Sequence, residues 1–166
     1  MSAHDWSRFV LRIPITSTPQ RIAECWNTQA GLESWFLRKA AFTKKDGKPR
    51  NTSDKIEIGD SYEWLWYGWS DEMIEKGTII STAENEIISF SFGKAGNVTV
   101  RTKMEEGEQI LELEQYAIPM DENAQVNYHI GCTKGWLFYL TNLKSILEGG
   151  IDLRNRNVNL TNVINS

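Results

Sequence analysis

The stretch DENAQVNYHIGCTKGWLFYLTNLKSILEGG, Asp121 to Gly150, reads as one long helix, and the rest of the chain is arranged around it. Asp121 is a good N-cap, because its side-chain oxygen can satisfy free backbone N–H groups and its charge suits the positive helix end. Gly149-Gly150 is the matching stop, since glycine takes the left-handed C-terminal conformation without strain. The span is roughly 40 Å at 1.5 Å per residue. At about 100° per residue one wide apolar arc appears. It holds Tyr128, Cys132, Trp136, Tyr139, Leu140, Leu143, Ile146 and Leu147. Gly135 borders the arc. A glycine inside a helix costs roughly 1 kcal/mol against alanine, so it implies either close approach of a strand or room for a cavity. The opposite face carries Lys134, Thr141, Lys144, Ser145 and Glu148, but also Ile130, Leu137 and Phe138. Those three are either scattered exposed residues or a patch covered by the tail or by a second copy, as in a homodimer.

Upstream, Phe9, Leu11 and Ile13 alternate with Val10, Arg12 and Pro14, which predicts a strand with one apolar face. Thr18-Pro19 opens a short helix with cap and first-position proline in order. Ile22, Cys25 and Trp26 form its inward stripe. A second short helix follows from about Ala30, anchored by Leu32, Trp35 and Phe36. Arg38 to Lys45 is a second strand, and Asp46 to Asp60 is the most loop-like stretch. Ser61 to Trp69 is aromatic on both faces, with Tyr62, Trp64 and Trp66 on one side and Leu65, Tyr67 and Trp69 on the other. Such a strand is covered on both sides or lines a ligand space on one.

Met73 to Thr82 continues as a strand, and Glu84-Asn85 turns it into the alternating Ile88, Phe90 and Phe92. Gly93 to Gly96 and Glu105 to Glu108 are hairpin turns around a strand carrying Val98 and Val100. Leu111, Leu113 and Gln115 share one face of the last strand. Arg101 and Lys103 then fall near Glu112 and Glu114 on the solvent face, a cross-strand arrangement worth about 0.2–1 kcal/mol per pair. Strands followed by a helix imply an α+β domain with the helix packed on one face of an antiparallel sheet of about six to seven strands. The domain is expected over residues 8–150. The tail, 151–166, carries Ile151, Leu153, Val158, Leu160, Val163 and Ile164, and is expected to be either docked or disordered.

At 166 residues the chain fits one domain and buries enough surface for a core without staples. A net charge of −4 and a pI near 5.3 argue against a nucleic-acid partner. No apolar run approaches the roughly 18 residues of a membrane span, and the N-terminus lacks a signal pattern. The expected location is the cytoplasm. Cys25 and Cys132 are expected to be free buried thiols. The sequons at Asn51 and Asn159 carry no meaning without secretion.

No Gly-rich phosphate loop, zinc spacing or nucleophile elbow is present, so no cofactor or metal is expected. Of the two histidines, His4 is placed in a mobile end. His129 projects into the apolar arc with Cys132 and Trp136. The pair His129 and Cys132 reads as a base beside a thiol, as two metal ligands, or as a packed histidine beside a buried cysteine. Two ligands fall short of a structural zinc set. Among carboxylates, Glu33, Glu63, Asp71 and Glu75 fall near element ends or on strands, with no pairing set by spacing. Glu63, opposite Trp64, is read as solvated.

Several stretches together resemble one known family. These are Ile13-Pro14-Ile15 with Thr18-Pro19-Gln20-Arg21-Ile22, Gly31-Leu32-Glu33-Ser34-Trp35-Phe36, Gly59-Asp60-Ser61-Tyr62, and Gly77-Thr78-Ile79-Ile80. Gly135-Trp136 with Leu140, Leu143, Lys144, Leu147 and Glu148 completes them. They resemble the START-like, helix-grip superfamily (SRPBCC), in the branch named after the activator of heat shock protein 90 ATPase. The resemblance covers roughly residues 8–150 and is a pattern of anchors, not a catalytic signature. It implies a curved sheet gripping the C-terminal helix with a hydrophobic cavity between them, a space that takes lipids, sterols, polyketides or plant hormones elsewhere in the superfamily. The eukaryotic chaperone activator has a further N-terminal domain with no counterpart before residue 8.

The leading expectation is therefore non-enzymatic binding of a small lipophilic molecule. The expected contacts are Trp35, Phe36, Trp64, Trp66, Phe90, Tyr128, His129, Cys132 and Trp136. The alternatives are a cyclase or hydratase using His129 or a buried acid, and a stress-related module with a chaperone partner. A fold analogy by itself assigns none of them.

Overall fold

The structure is a computed structural model and describes residues 4–83, 85–157, 159–160 and 163–164. Of the residues named above, Glu84 and Val158 lie outside these.

Among the described residues seven strands form one antiparallel sheet. They are β1 (Phe9–Pro14), β2 (Lys39–Thr43), β3 (Ser61–Leu65), β4 (Glu75–Ser81), β5 (Ile88–Ser91), β6 (Asn97–Glu105) and β7 (Glu108–Tyr116). Their order is β1-β7-β6-β5-β4-β3-β2. Strands β2 to β7 are therefore a meander, and only β1 joins out of sequence, on the far side of β7. Helices α1 (Pro19–Trp26) and α2 (Gln29–Trp35) carry the chain from one sheet edge to the other. The architecture is α+β, with the long C-terminal helix lying on the inner face of the curved sheet.

Local chemistry explains the boundaries. The Thr18 hydroxyl accepts from the Arg21 N–H at 3.2 Å, and Thr28 accepts from Gly31 N–H at 2.9 Å. Each oxygen satisfies one of the amides that a helix start leaves free. Asp121 caps the C-terminal helix by accepting from Ala124 N–H at 3.1 Å. The aromatic strand is shorter than its composition suggests. It stops at Leu65, and Gly68 takes a positive φ of 80°. Trp66 and Trp69 thus belong to the β3–β4 connection, so their sides are set by the loop and not by strand alternation. The loop-like stretch before β3 is pinned: Arg50 pairs with buried Asp60, and Ile56 N–H donates to Asn27 O at 2.8 Å.

The inner face is aromatic. Trp26, Trp35, Trp64 and Phe90 are fully buried. Trp64 stacks on Tyr62 at 3.9 Å, and Phe36 meets Trp136 of the helix at 4.9 Å. Val98, Val100, Leu111 and Leu113 complete the sheet side, with Leu140 and Leu143 opposite. Gly77 is required where it stands, because a Cβ there would overlap the Tyr62 hydroxyl, which donates to Ser91 O. On the outer face Arg101 lies 3.1 Å from Glu114, and Lys103 lies 3.4 Å from Glu112.

The C-terminal helix departs from a uniform α-helix. It comprises α3 (Glu122–Ala124), a π-helical turn (Gln125–Ile130) and α4 (Gly131–Leu147). The wider turn breaks the count of about 100° per residue. Side chains before Gly131 are therefore rotated from where an unbroken helix would put them.

Beyond Gly150 the chain turns back onto α2. The buried Asn142 side chain donates to Trp35 O at 2.7 Å and accepts from Leu153 N–H at 2.7 Å. The buried Arg154 guanidinium donates to Glu33 O, Ser34 O and Leu37 O at 2.9–3.1 Å. It thereby satisfies carbonyls that the end of α2 leaves without helical partners.

Candidate functional site

A cleft opens between the first half of α4 and the β3–β4 side of the sheet. Its inner part, about 160 Å³, is lined by Phe36, Trp66, Phe92, Cys132, Gly135 and Trp136, with Asn127 and Tyr139 at the rim. Its outer part, about 350 Å³, shares Trp66 and Tyr139 and adds Trp69, Glu72, Met73, Ile74 and Glu75. Trp69 and Met73 are half-exposed there. The helix wall is shallow because nothing lies within 4 Å of a Cβ built at Gly135. That glycine leaves room instead of admitting a strand.

Four of the nine expected contacts line the inner cleft: Phe36, Trp66, Cys132 and Trp136. Trp35, Trp64 and Phe90 lie behind them in the core, with no exposed surface. The indole N–H of Trp64 is buried without an acceptor among the described residues. Tyr128 and His129 are carried away by the π-helical turn, and Asn127 reaches the rim instead.

His129 is buried beneath the N-terminal segment. Its Nδ1–H donates to Trp6 O at 3.0 Å, leaving Nε2 to accept from the His4 ring at 3.1 Å. Trp6 and Phe9 pack edge-on against the same imidazole at 5.1 and 5.4 Å. This corrects two expectations. His4 is not part of a free end, and His129 does not share a space with Cys132. The sequence spacing of the two was read on an α-helical phase that the π turn removes.

Cys132 faces the cleft, and burial raises its thiol pKa, against a hydrogen bond from Gln115 that lowers it. Burial likewise pushes Cys25 up to about 11. Both thiols stay protonated at neutral pH, so neither is an activated nucleophile. Among the described residues no three His, Cys, Asp or Glu side chains gather as a metal ion would need.

Glu75, named among the carboxylates but given no place by its spacing, belongs to the site. It pairs with Trp64 across β3 and β4, so both side chains belong to the inner face. Its carboxylate lies in the notch over Gly93, where a Cβ would overlap it. Burial raises its pKa above the usual carboxylate range, only partly offset by the Lys76 amide. No ion pair involves it among the described residues. The available signal was register: an acid placed level with Trp64 in the neighbouring strand.

A larger open groove of about 910 Å³ lies elsewhere, between α1 and the ends of β5, β6 and β7. Several of its charges pair with one another, Arg101 with Glu86 and Glu112, and Lys103 with Glu112. It lacks the apolar lining of the aromatic cleft.

Neither a protein-family profile nor a curated protein sequence matches this chain. Solved structures do match in fold. A structural genomics target from Staphylococcus saprophyticus superposes with a TM-score of 0.65 at 17% identity, over 89% of this chain and 96% of that one. The Aha1 dimer from Colwellia psychrerythraea gives 0.64 at 13% identity, over 86% and 97%. DynU16, a putative protein in the dynemicin biosynthetic locus, gives 0.62 at 14% identity, over 90% of this chain and 50% of that one. At these identities the likeness concerns the fold.

Proposed function

From a chain with the START-like, helix-grip fold, we propose non-enzymatic binding of a small hydrophobic ligand between the sheet and the C-terminal helix. The observation that supports this is the aromatic cleft, open at Trp69 and Met73 and closed at Phe36 and Trp136. Ligand sites are mostly apolar concavities with a few placed polar groups. The cleft has that character, and Gly135 enlarges it on a helix whose stability would favour alanine. A ring or short alkyl group suits the inner part, with the remainder of the ligand under the β3–β4 connection.

The enzymatic alternative draws less support. His129 is engaged under Trp6, and Cys132 is a protonated thiol. For a chaperone partner, the only relevant observation is the name of one structural neighbour. Self-association has somewhat more behind it. Leu137 is 59% exposed on the outer helix face, Ile130 and Val126 are exposed as well, and that same neighbour is a dimer.

Native mass spectrometry of protein purified without delipidation tests the reading. The expected result is an added mass that denaturation releases. Its loss in Gly135→Leu, with folding intact by circular dichroism, assigns it to the cleft. A clean apo mass, with no response of Trp fluorescence to lipophilic probes, would sink the proposal. The same spectrum gives the oligomeric state.

A further inference from the structure

The outer part of the cleft has a chemistry that apolar binding alone does not require. It is walled by Trp66, Trp69 and Tyr139, and it carries the carboxylates Glu72 and Glu75. Building on the ligand-binding reading, we infer that the ligand is a lipophilic cation, an amine or quaternary ammonium whose apolar part fills the inner cleft. Aromatic faces attract cations through their quadrupoles, most strongly when water is excluded, and tryptophan is the best of them. Phe36 holds two of these walls in place, edge-on to Trp66 at 5.8 Å and to Tyr139 at 4.9 Å.

Among the described residues no Lys or Arg forms an ion pair with Glu72 or Glu75. Arg38, at the start of the same region, is engaged by Trp66 O and Asp71. Lys76 pairs with Glu63 on the opposite face of the sheet, 2.7 Å away. Arg154 and Arg156 are tied to Asp152. Glu75 is thus a half-buried carboxylate on the inner face with no cationic partner among the described residues. An inward acid among aromatic rings is costly unless a positive charge arrives. A neutral lipid would leave that cost in place, and a fatty acid, ionised at neutral pH, would add to it.

The test compares octyltrimethylammonium, octanol and octanoate, all below micelle formation, by the indole NMR resonances of the intact chain. The ammonium probe should bind about tenfold tighter than octanol, and octanoate weakest. The largest shifts should fall on Trp66 and Trp69. Glu75→Gln should abolish most of the preference while octanol binding persists, and Trp69→Ala should weaken the ammonium probe selectively. Equal affinity for octanol and the ammonium probe would overturn the cation inference and leave apolar binding standing. Failure of all three probes would overturn both. Because the head-group comparison is made within the wild-type protein, it does not depend on a variant folding.

Discussion

The indole N–H of Trp136 donates to the side-chain oxygen of Gln115 at 2.8 Å, and the Gln115 amide donates in turn to Ala95 O at 2.8 Å. Gln115 is fully buried. A polar side chain on the inner sheet face is thus satisfied at both ends, and it orients the tryptophan that forms the back of the cleft. Trp64 is different, since its indole N–H has no acceptor among the described residues. Replacing a partnered group strands its partner, whereas removing an orphan relieves a penalty. Trp136→Phe should therefore cost about 1–3 kcal/mol beyond its lost packing. Trp64→Phe should lose packing only. Urea unfolding of the two variants reads the difference, and equal losses would contradict the account.

Arg154 joins the tail to the body of the fold. Its guanidinium serves three carbonyls of the α2 end and pairs with Asp152 at 2.7 Å. Arg154→Ala leaves those carbonyls without their donor and strips Asp152 of one of its two arginines. The expected cost is about 2–4 kcal/mol. An unchanged urea midpoint would show that the tail contributes nothing to stability.

Asp152 and Glu75 should respond to acid in opposite senses. Burial tends to raise the Asp152 pKa, but hydrogen bonds from Arg154 and Arg156 outweigh it and hold the carboxyl far below its ordinary range. A carboxyl depressed in the folded state contributes stability above its unfolded pKa of about 3.9 and loses it as pH falls below that. Asp152→Asn should be destabilising at pH 7, with the gap from wild type closing under increasingly acid conditions. For Glu75, burial raises the folded pKa, so ionisation costs stability at neutral pH. Glu75→Gln should stabilise the unliganded protein at pH 7, and the gain should shrink as pH falls through the raised pKa. Thermal unfolding across pH measures both.

Gly135→Ala should stabilise the unliganded protein by up to about 1 kcal/mol, because the helix gains propensity and the new methyl meets nothing within 4 Å. The same methyl occupies ligand space, so affinity for an apolar probe should fall. Calorimetric titration beside thermal unfolding would show whether stability and binding move in these opposite directions.

Much of the fold was legible because it rests on local rules. Thr18-Pro19 and Asp121 announce helix starts, and the alternation of Leu111, Leu113 and Gln115 announces a strand with one inner face. Those cues recur in the right order, and the seven strands and the C-terminal helix follow them. The candidate site was legible in part. Phe36, Trp66, Cys132 and Trp136 line the cleft, while Trp35, Trp64 and Phe90 are buried behind it. Aromatic content alone does not separate a wall from a core.

Hydrophobic periodicity, a local property, was enough for the succession of elements and the inward face of most strands, but it put Phe138 on the outer side of α4, where the structure packs it partly against the core. Tertiary structure decided the rest. The π-helical turn moved His129 away from Cys132 and under Trp6. The register of β3 with β4 set Glu75 beside Trp64 and over Gly93. The tail found α2 through Arg154, a contact 120 residues distant in the chain. Each of these depends on the relative position of elements far apart in sequence, where periodicity and propensity carry no information.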